Sequence, residues 1–101
     1  MKLAFIIHNE HYTARVMDLL ARCGIDYYTR WDKAMGKGHQ TEPHLGTGSY
    51  ASLNGVFMIG FEDEAPLDAL IAEIKAANEQ IKIKRRADHI RLMQLPLDRI
   101  V

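Results

Sequence analysis

The sequence predicts an α+β fold, and three observations carry that prediction. A short continuous apolar run, Leu3 to Ile7, has the length and composition of a central strand. Two later segments instead place apolar residues at helical spacing: Val16, Leu19, Leu20 and Cys23 in the first, and Leu67, Leu70, Ile71, Ile74 and Ala77 in the second. Around them stand runs rich in aromatic, aliphatic and β-branched residues, Tyr27 to Lys33, Val56 to Phe61 and Ile90 to Leu95, which read as strands. The resulting order is βαββαβ.

Each boundary has a local reason. Asn9 can cap the first helix and Gly24 stands where a left-handed C-terminal cap belongs, so that helix is expected from about Glu10 to Cys23. Glu64-Ala65-Pro66 opens the second helix, with proline in the first turn, where a missing N–H breaks no bond, and the helix should end near Gln80. The acidic run Glu62-Asp63-Glu64 suits the positive end of that helix dipole. Pro96 stops or bends the last strand. Such an order closes most simply as a ferredoxin-like βαββαβ sandwich, a four-stranded antiparallel sheet with two helices on one face. Phe5, Ile7, Phe57, Ile59, Leu92 and Leu95 are more apolar strand residues than one face accommodates, so a self-assembly that covers the open face is expected.

Size and charge narrow the function. The chain has 101 residues, 48% hydrophobic and 26% charged, which reads as one folded domain over 1–101 with no linker or internal repeat. Thirteen basic residues balance thirteen acidic ones, so no general field draws the chain to nucleic acid or to an anionic membrane. The basic segment Lys82-Ile83-Lys84-Arg85-Arg86 is a local exception. Cys23, the one cysteine, has no partner for an intramolecular disulfide and falls on the apolar face of the first helix, where packing is its expected role. The N-terminal residues read as a strand and not as a signal peptide, and no apolar run reaches the ~18 residues of a membrane span, so a cytoplasmic location is expected.

The connection from about Gly36 to Asn54 is long for so small a domain and carries Gly36, Gly38, Pro43, Gly46 and Gly48 before Asn54-Gly55. Its entrance, Gly36-Lys37-Gly38-His39-Gln40, reads as a ligand mouth: two glycines let backbone N–H groups approach an anion, Lys37 adds charge, and His39 and Gln40 add hydrogen-bonding groups. A plain hairpin mouth would carry the same glycines.

Together with the opening strand Lys2 to Ile7, the helix segment Val16 to Leu20, the exit Cys23-Gly24-Ile25, Tyr28-Thr29 and the closing strand Arg91-Leu92-Met93-Gln94-Leu95-Pro96, this mouth gives the chain a resemblance to the PII-like signalling proteins along most of its length. The resemblance implies a non-enzymatic homotrimer that holds an adenine nucleotide or another small anionic ligand in clefts between subunits. A loop at about 36–54 would report the ligand to a protein target. By the same likeness Gly36, Lys37, Gly38, His39 and Gln40 line the mouth, Thr29 lines the nucleotide cleft, Arg91 stands in place of a phosphate-binding lysine, and Arg99 substitutes for the arginines after the proline. No cofactor is required on this reading, and nucleic acid is not an expected partner.

Two departures from the nitrogen-regulating members are visible. Arg85-Arg86-Ala87-Asp88-His89 replaces a glycine-rich turn and removes the close backbone approach glycine permits, which argues against simple transfer of ATP binding. The loop Thr41 to Tyr50 is not the longer modifiable loop of those members, so the resemblance runs to a divergent branch, some of whose members are associated with cation or heavy-metal efflux systems.

Rival readings remain open. A metal-responsive version would use His39 and His44 in the loop, and His8 and His11 straddle a strand-to-helix junction. Met35 and Met58 would suit Cu(I), although core packing is the expected role of both. A third alternative is a trimeric adaptor without a small ligand, its target a transporter or efflux system. No catalytic motif stands out: there is no nucleophile elbow or phosphate loop, and Ser49 and Ser52 lack a visible triad. Trp31 is expected in a subunit interface.

Overall fold

The computed structural model describes residues 1–37, 53–81 and 89–101. Among these, β1 (Lys2–Asn9), β2 (Thr29–Ala34), β3 (Asn54–Phe61) and β4 (Arg91–Pro96) form one antiparallel sheet in the order β2-β3-β1-β4. The helices α1 (Thr13–Arg22) and α2 (Ala65–Gln80) complete the predicted βαββαβ order. The apolar run around Leu3–Ile7 is a central strand, paired on both sides, and its side chains alternate between the two sheet faces.

That alternation builds the core. Ala4 and Ile6 of β1 lie beside Ile59 and Phe57 of β3, and all four are buried with Phe61 against Val16, Leu19 and Leu20 of α1 and Leu67, Leu70, Ile74 and Ala77 of α2. Both helices therefore cover one face. Each large buried side chain contributes on the order of 1.5–3 kcal/mol. Cys23 packs half-buried against this cluster, and burial raises its thiol pKa, so it behaves as a small apolar group.

The helix ends obey the predicted chemistry with one change. Gly24 has φ +70° and closes α1 in the left-handed region. Asn9 Oδ1 accepts a hydrogen bond from the His11 N–H at 3.0 Å, but the turn it caps, Glu10–Tyr12, is a 3-10 helix, and α1 begins only at Thr13. Asp63 Oδ1 accepts from the Ala65 N–H at 3.0 Å, so the acidic run does serve the start of α2.

Other boundaries move for tertiary reasons. Tyr27 and Tyr28 precede β2, where their rings stand edge-on against Phe61 and Phe57 at 6.0 and 5.1 Å. β2 then pairs Trp31 with Val56 and Ala34 with Asn54, so three steps on β2 match two on β3, and Lys33 at φ 57° marks the bulge. Asn54-Gly55 begins β3 and does not end the loop. Met35 is 70% exposed, contrary to the core role expected of it, because it follows the last residue of the edge strand. The predicted loop lies outside the described residues over 38–52, as does the basic segment over 82–88.

Candidate functional site

The face of the sheet away from the helices is apolar and open among the described residues. Register places Thr29, Met58, Phe5 and Met93 on one cross-strand row, Trp31, Val56, Ile7 and Arg91 on the next, and Gly60, Leu3 and Leu95 on a third. Trp31, Met93 and Leu95 are each exposed by more than two-fifths, so large apolar side chains meet solvent on this face of a single copy. Of the six apolar strand residues that exceed one face, Phe57, Ile59 and Leu92 point to the helices, and Phe5, Ile7 and Leu95 lie on this face.

Of the predicted ligand residues, Thr29, Gly36, Lys37 and Arg91 lie around the rim of that face. Thr29 opens β2 at one edge and Arg91 opens β4 at the other, both exposed. Three interstrand spacings separate the edges, about 14 Å. Gly36 and Lys37 follow β2 at the end of the sheet where β4 begins, again on the edge opposite Arg91. A side chain at Gly36 would come within 2.6 Å of Asn54 Nδ2, so glycine lets the Asn54 amide lie over the backbone there. Arg99 belongs to the tail after β4, one strand length away from Arg91, about 17 Å. Within one copy the structure thus brings Gly36 and Lys37 together and leaves Arg91, Thr29 and Arg99 apart. Gly38, His39, Gln40 and His44 lie outside the described residues.

The tail crosses the sheet end. The Leu97 N–H donates to the Met1 carbonyl at 3.1 Å, and Ile100 Cδ1 sits 3.4 Å from the point a Cβ at Gly60 would occupy. Ile100 thereby lies over Gly60 on the third apolar row, while Leu95 of the same row stays 44% exposed.

Asn78 had no reading in the sequence, and His8, paired there with His11 as a candidate metal ligand, takes a different place. Asn78 of α2 hydrogen-bonds both backbone groups of Ile90: its Nδ2 donates to the Ile90 carbonyl at 2.8 Å and its Oδ1 accepts from the Ile90 N–H at 2.9 Å. This pair fixes the chain immediately before Arg91. His8 is 2% exposed, its ring stacked on Gly55 and tilted against Phe57 at 5.6 Å. Burial lowers its pKa; the contact with the Asn9 carbonyl and the charge of Asp32 pull the other way, and Arg30 adds a small lowering. His8 is buried and His11 exposed, and among the described residues no group of three His, Cys, Asp or Glu side chains could hold a metal ion. No described helix is long and apolar enough to cross a membrane.

A small antiparallel sheet with two helices on one face and anionic-ligand candidates on the rim of the other is the class of domain this chain defines. Its fold is that of the PII-like proteins. CPII, a nitrogen regulatory PII-like protein from Thiomonas intermedia, solved with ADP, AMP and bicarbonate, is similar over 97% of this chain and 88% of its own, with 18% identity and a TM-score of 0.67. The same protein bound to ADP and bicarbonate gives a TM-score of 0.66 at 18% identity and the same coverage. A PII-like signalling protein from Thermus thermophilus is similar over 93% of this chain and 81% of its own, with 16% identity and a TM-score of 0.50. No protein-family profile matches the sequence, and no curated protein matches it.

Proposed function

We propose that this chain is a divergent PII-like regulatory protein, active as a homotrimer, that binds a small anionic ligand, an adenine nucleotide first among candidates, between subunits. One observation carries the reading: the residues assigned to a single cleft divide between the two edges of an open, apolar sheet. Gly36 and Lys37 at the β2 edge of one copy and Arg91 at the β4 edge of another would complete a phosphate site that one copy lacks, through backbone N–H groups and charge-assisted bonds. Thr29 lies on the same face, and Gly38, His39 and Gln40 extend the mouth in sequence; Arg99 is the least well placed of the set. The shared fold with CPII, a protein solved with ADP, AMP and bicarbonate, supports this choice of ligands.

The ligand acts by population shift, stabilising the subunit arrangement it binds best, and a protein target reads the result. The role is regulatory and not catalytic. Light scattering should give the mass of a trimer. Calorimetric titration with ADP, AMP and bicarbonate should show binding that Arg91→Ala weakens at least about tenfold, or ~1.4 kcal/mol. A monomer that binds none of the three would end this reading, and stabilisation by Zn²⁺ or Cu⁺ alone would transfer it to His39 and His44.

A further inference from the structure

We propose that His8 is an acid-sensitive seat for the end of the β1–β3 pair, closing the last rungs while neutral and releasing them when protonated. The geometry is specific. His8 stands opposite Gly55 in the register, and a Cβ at residue 55 would lie 2.6 Å from both Cε1 and Nε2, so the ring occupies the place of the missing side chain. A carbonyl oxygen only accepts, so the 2.8 Å contact between Nδ1 and the Asn9 carbonyl puts the proton of the neutral ring on Nδ1. Nε2 is then a bare acceptor, buried against Gly55 with no hydrogen-bond partner among the described residues. A second proton would place a charge in a buried site and a donor where no acceptor stands among the described residues.

The surroundings offer little relief. β3 presents Gly55 and Phe57 to the ring, neither ionisable. From β2, Asp32 favours the charged ring and Arg30 opposes it, and these two are paired with each other at 2.9 Å. Glu10 and His11 follow on the 3-10 turn, with His11 exposed. Directly beyond His8 lie the rungs at stake: Asn9 opposite Asn54, and the Glu10 N–H donating to the Leu53 carbonyl at 2.8 Å.

The sign follows from proton binding. The seated ring resists its second proton, whereas a released ring takes one at the ordinary imidazole value near ~6.5. Release is therefore suppressed above that value and grows as pH falls below it.

The test uses the full chain and imidazole nitrogen NMR between pH 7.5 and 5, with amide protection factors measured across the same range. The expected result is a neutral His8 ring with its proton on Nδ1 at a pH of about 6, where an ordinary unburied imidazole is already charging. Protection of the Glu10 amide should fall at least tenfold at the acid end while the amides of Ile6 and Ile59 keep theirs. In His8→Phe the Glu10 amide should lose that pH dependence. A His8 ring that charges at or above the ordinary value while protection is unchanged overturns the proposal, as does an acid loss at Glu10 that persists in His8→Phe or is shared equally by Ile6 and Ile59. If His8→Phe does not fold, the ring titration and the protection pattern of the unmodified chain decide alone.

Discussion

The side-chain amide of Asn78 serves Ile90 as a strand neighbour would, donating to its carbonyl at 2.8 Å and accepting from its N–H at 2.9 Å. α2 thereby fixes where β4 begins, and with it the position of Arg91. Ile90 itself is buried, so its backbone groups have little access to water if Asn78 is lost.

Replacement of Asn78 by Ala should therefore destabilise the chain by roughly 1–3 kcal/mol, the range for leaving buried polar groups unpaired. Urea denaturation at neutral pH measures this directly. Asn78→Asp keeps the acceptor for the Ile90 N–H but sets a carboxylate against the Ile90 carbonyl, so it should not restore stability. A loss below ~0.5 kcal/mol in the alanine variant would show that water replaces the pair without cost.

Gly55→Ala should cost more than a surface substitution, because its Cβ would stand 2.6 Å from two atoms of the His8 ring. The loss should be about 1–3 kcal/mol, as for overpacking a filled site. In a His8→Ala background the clash has no partner, so a double-mutant cycle should return a coupling of at least ~0.5 kcal/mol. Additive losses would mean that the ring does not rest on Gly55.

Lys33 carries a side chain at φ 57°, in the left-handed region, on an exposed edge strand. Lys33→Gly should relieve that strain by up to about 1 kcal/mol, partly offset by the greater freedom of glycine in the unfolded chain. Thermal melting would register a small rise. A fall of several degrees would point to a packing role for the lysine stem.

Met93 lies on the open face between Phe5 and solvent and is 46% exposed. If copies of the chain cover that face, Met93→Glu buries an unpaired carboxylate at the contact and should dissociate the assembly. Light scattering across a concentration series distinguishes the outcomes. An unchanged mass would mean that assembly, if it occurs, leaves this face open.

Much of the fold was legible locally. Periods of two and of about 3.6 in apolar residues identified the strands and helices. Asn9, Gly24, Pro66 and Pro96 act within a turn of their own position, so their roles could be named from neighbours alone. The exceptions are equally physical. The 3-10 turn at Glu10–Tyr12 and the bulge at Lys33 depend on how the next element packs, and Met35 is exposed because β2 is an edge. The candidate site was legible as residue types, glycines and cations in order, but not as a place.

By itself, then, the sequence determined the order of elements, the polarity of each face and the limits of its charge, because those follow from side-chain chemistry at short range. Only the tertiary structure decided that Arg91 and Gly36 lie on opposite edges, that Asn78 holds Ile90, and that His8 rests on Gly55. Those relations join residues between 12 and 55 positions apart in the chain. Strand pairing and helix packing set where such residues lie relative to one another, and no local propensity encodes which distant partner a side chain will meet.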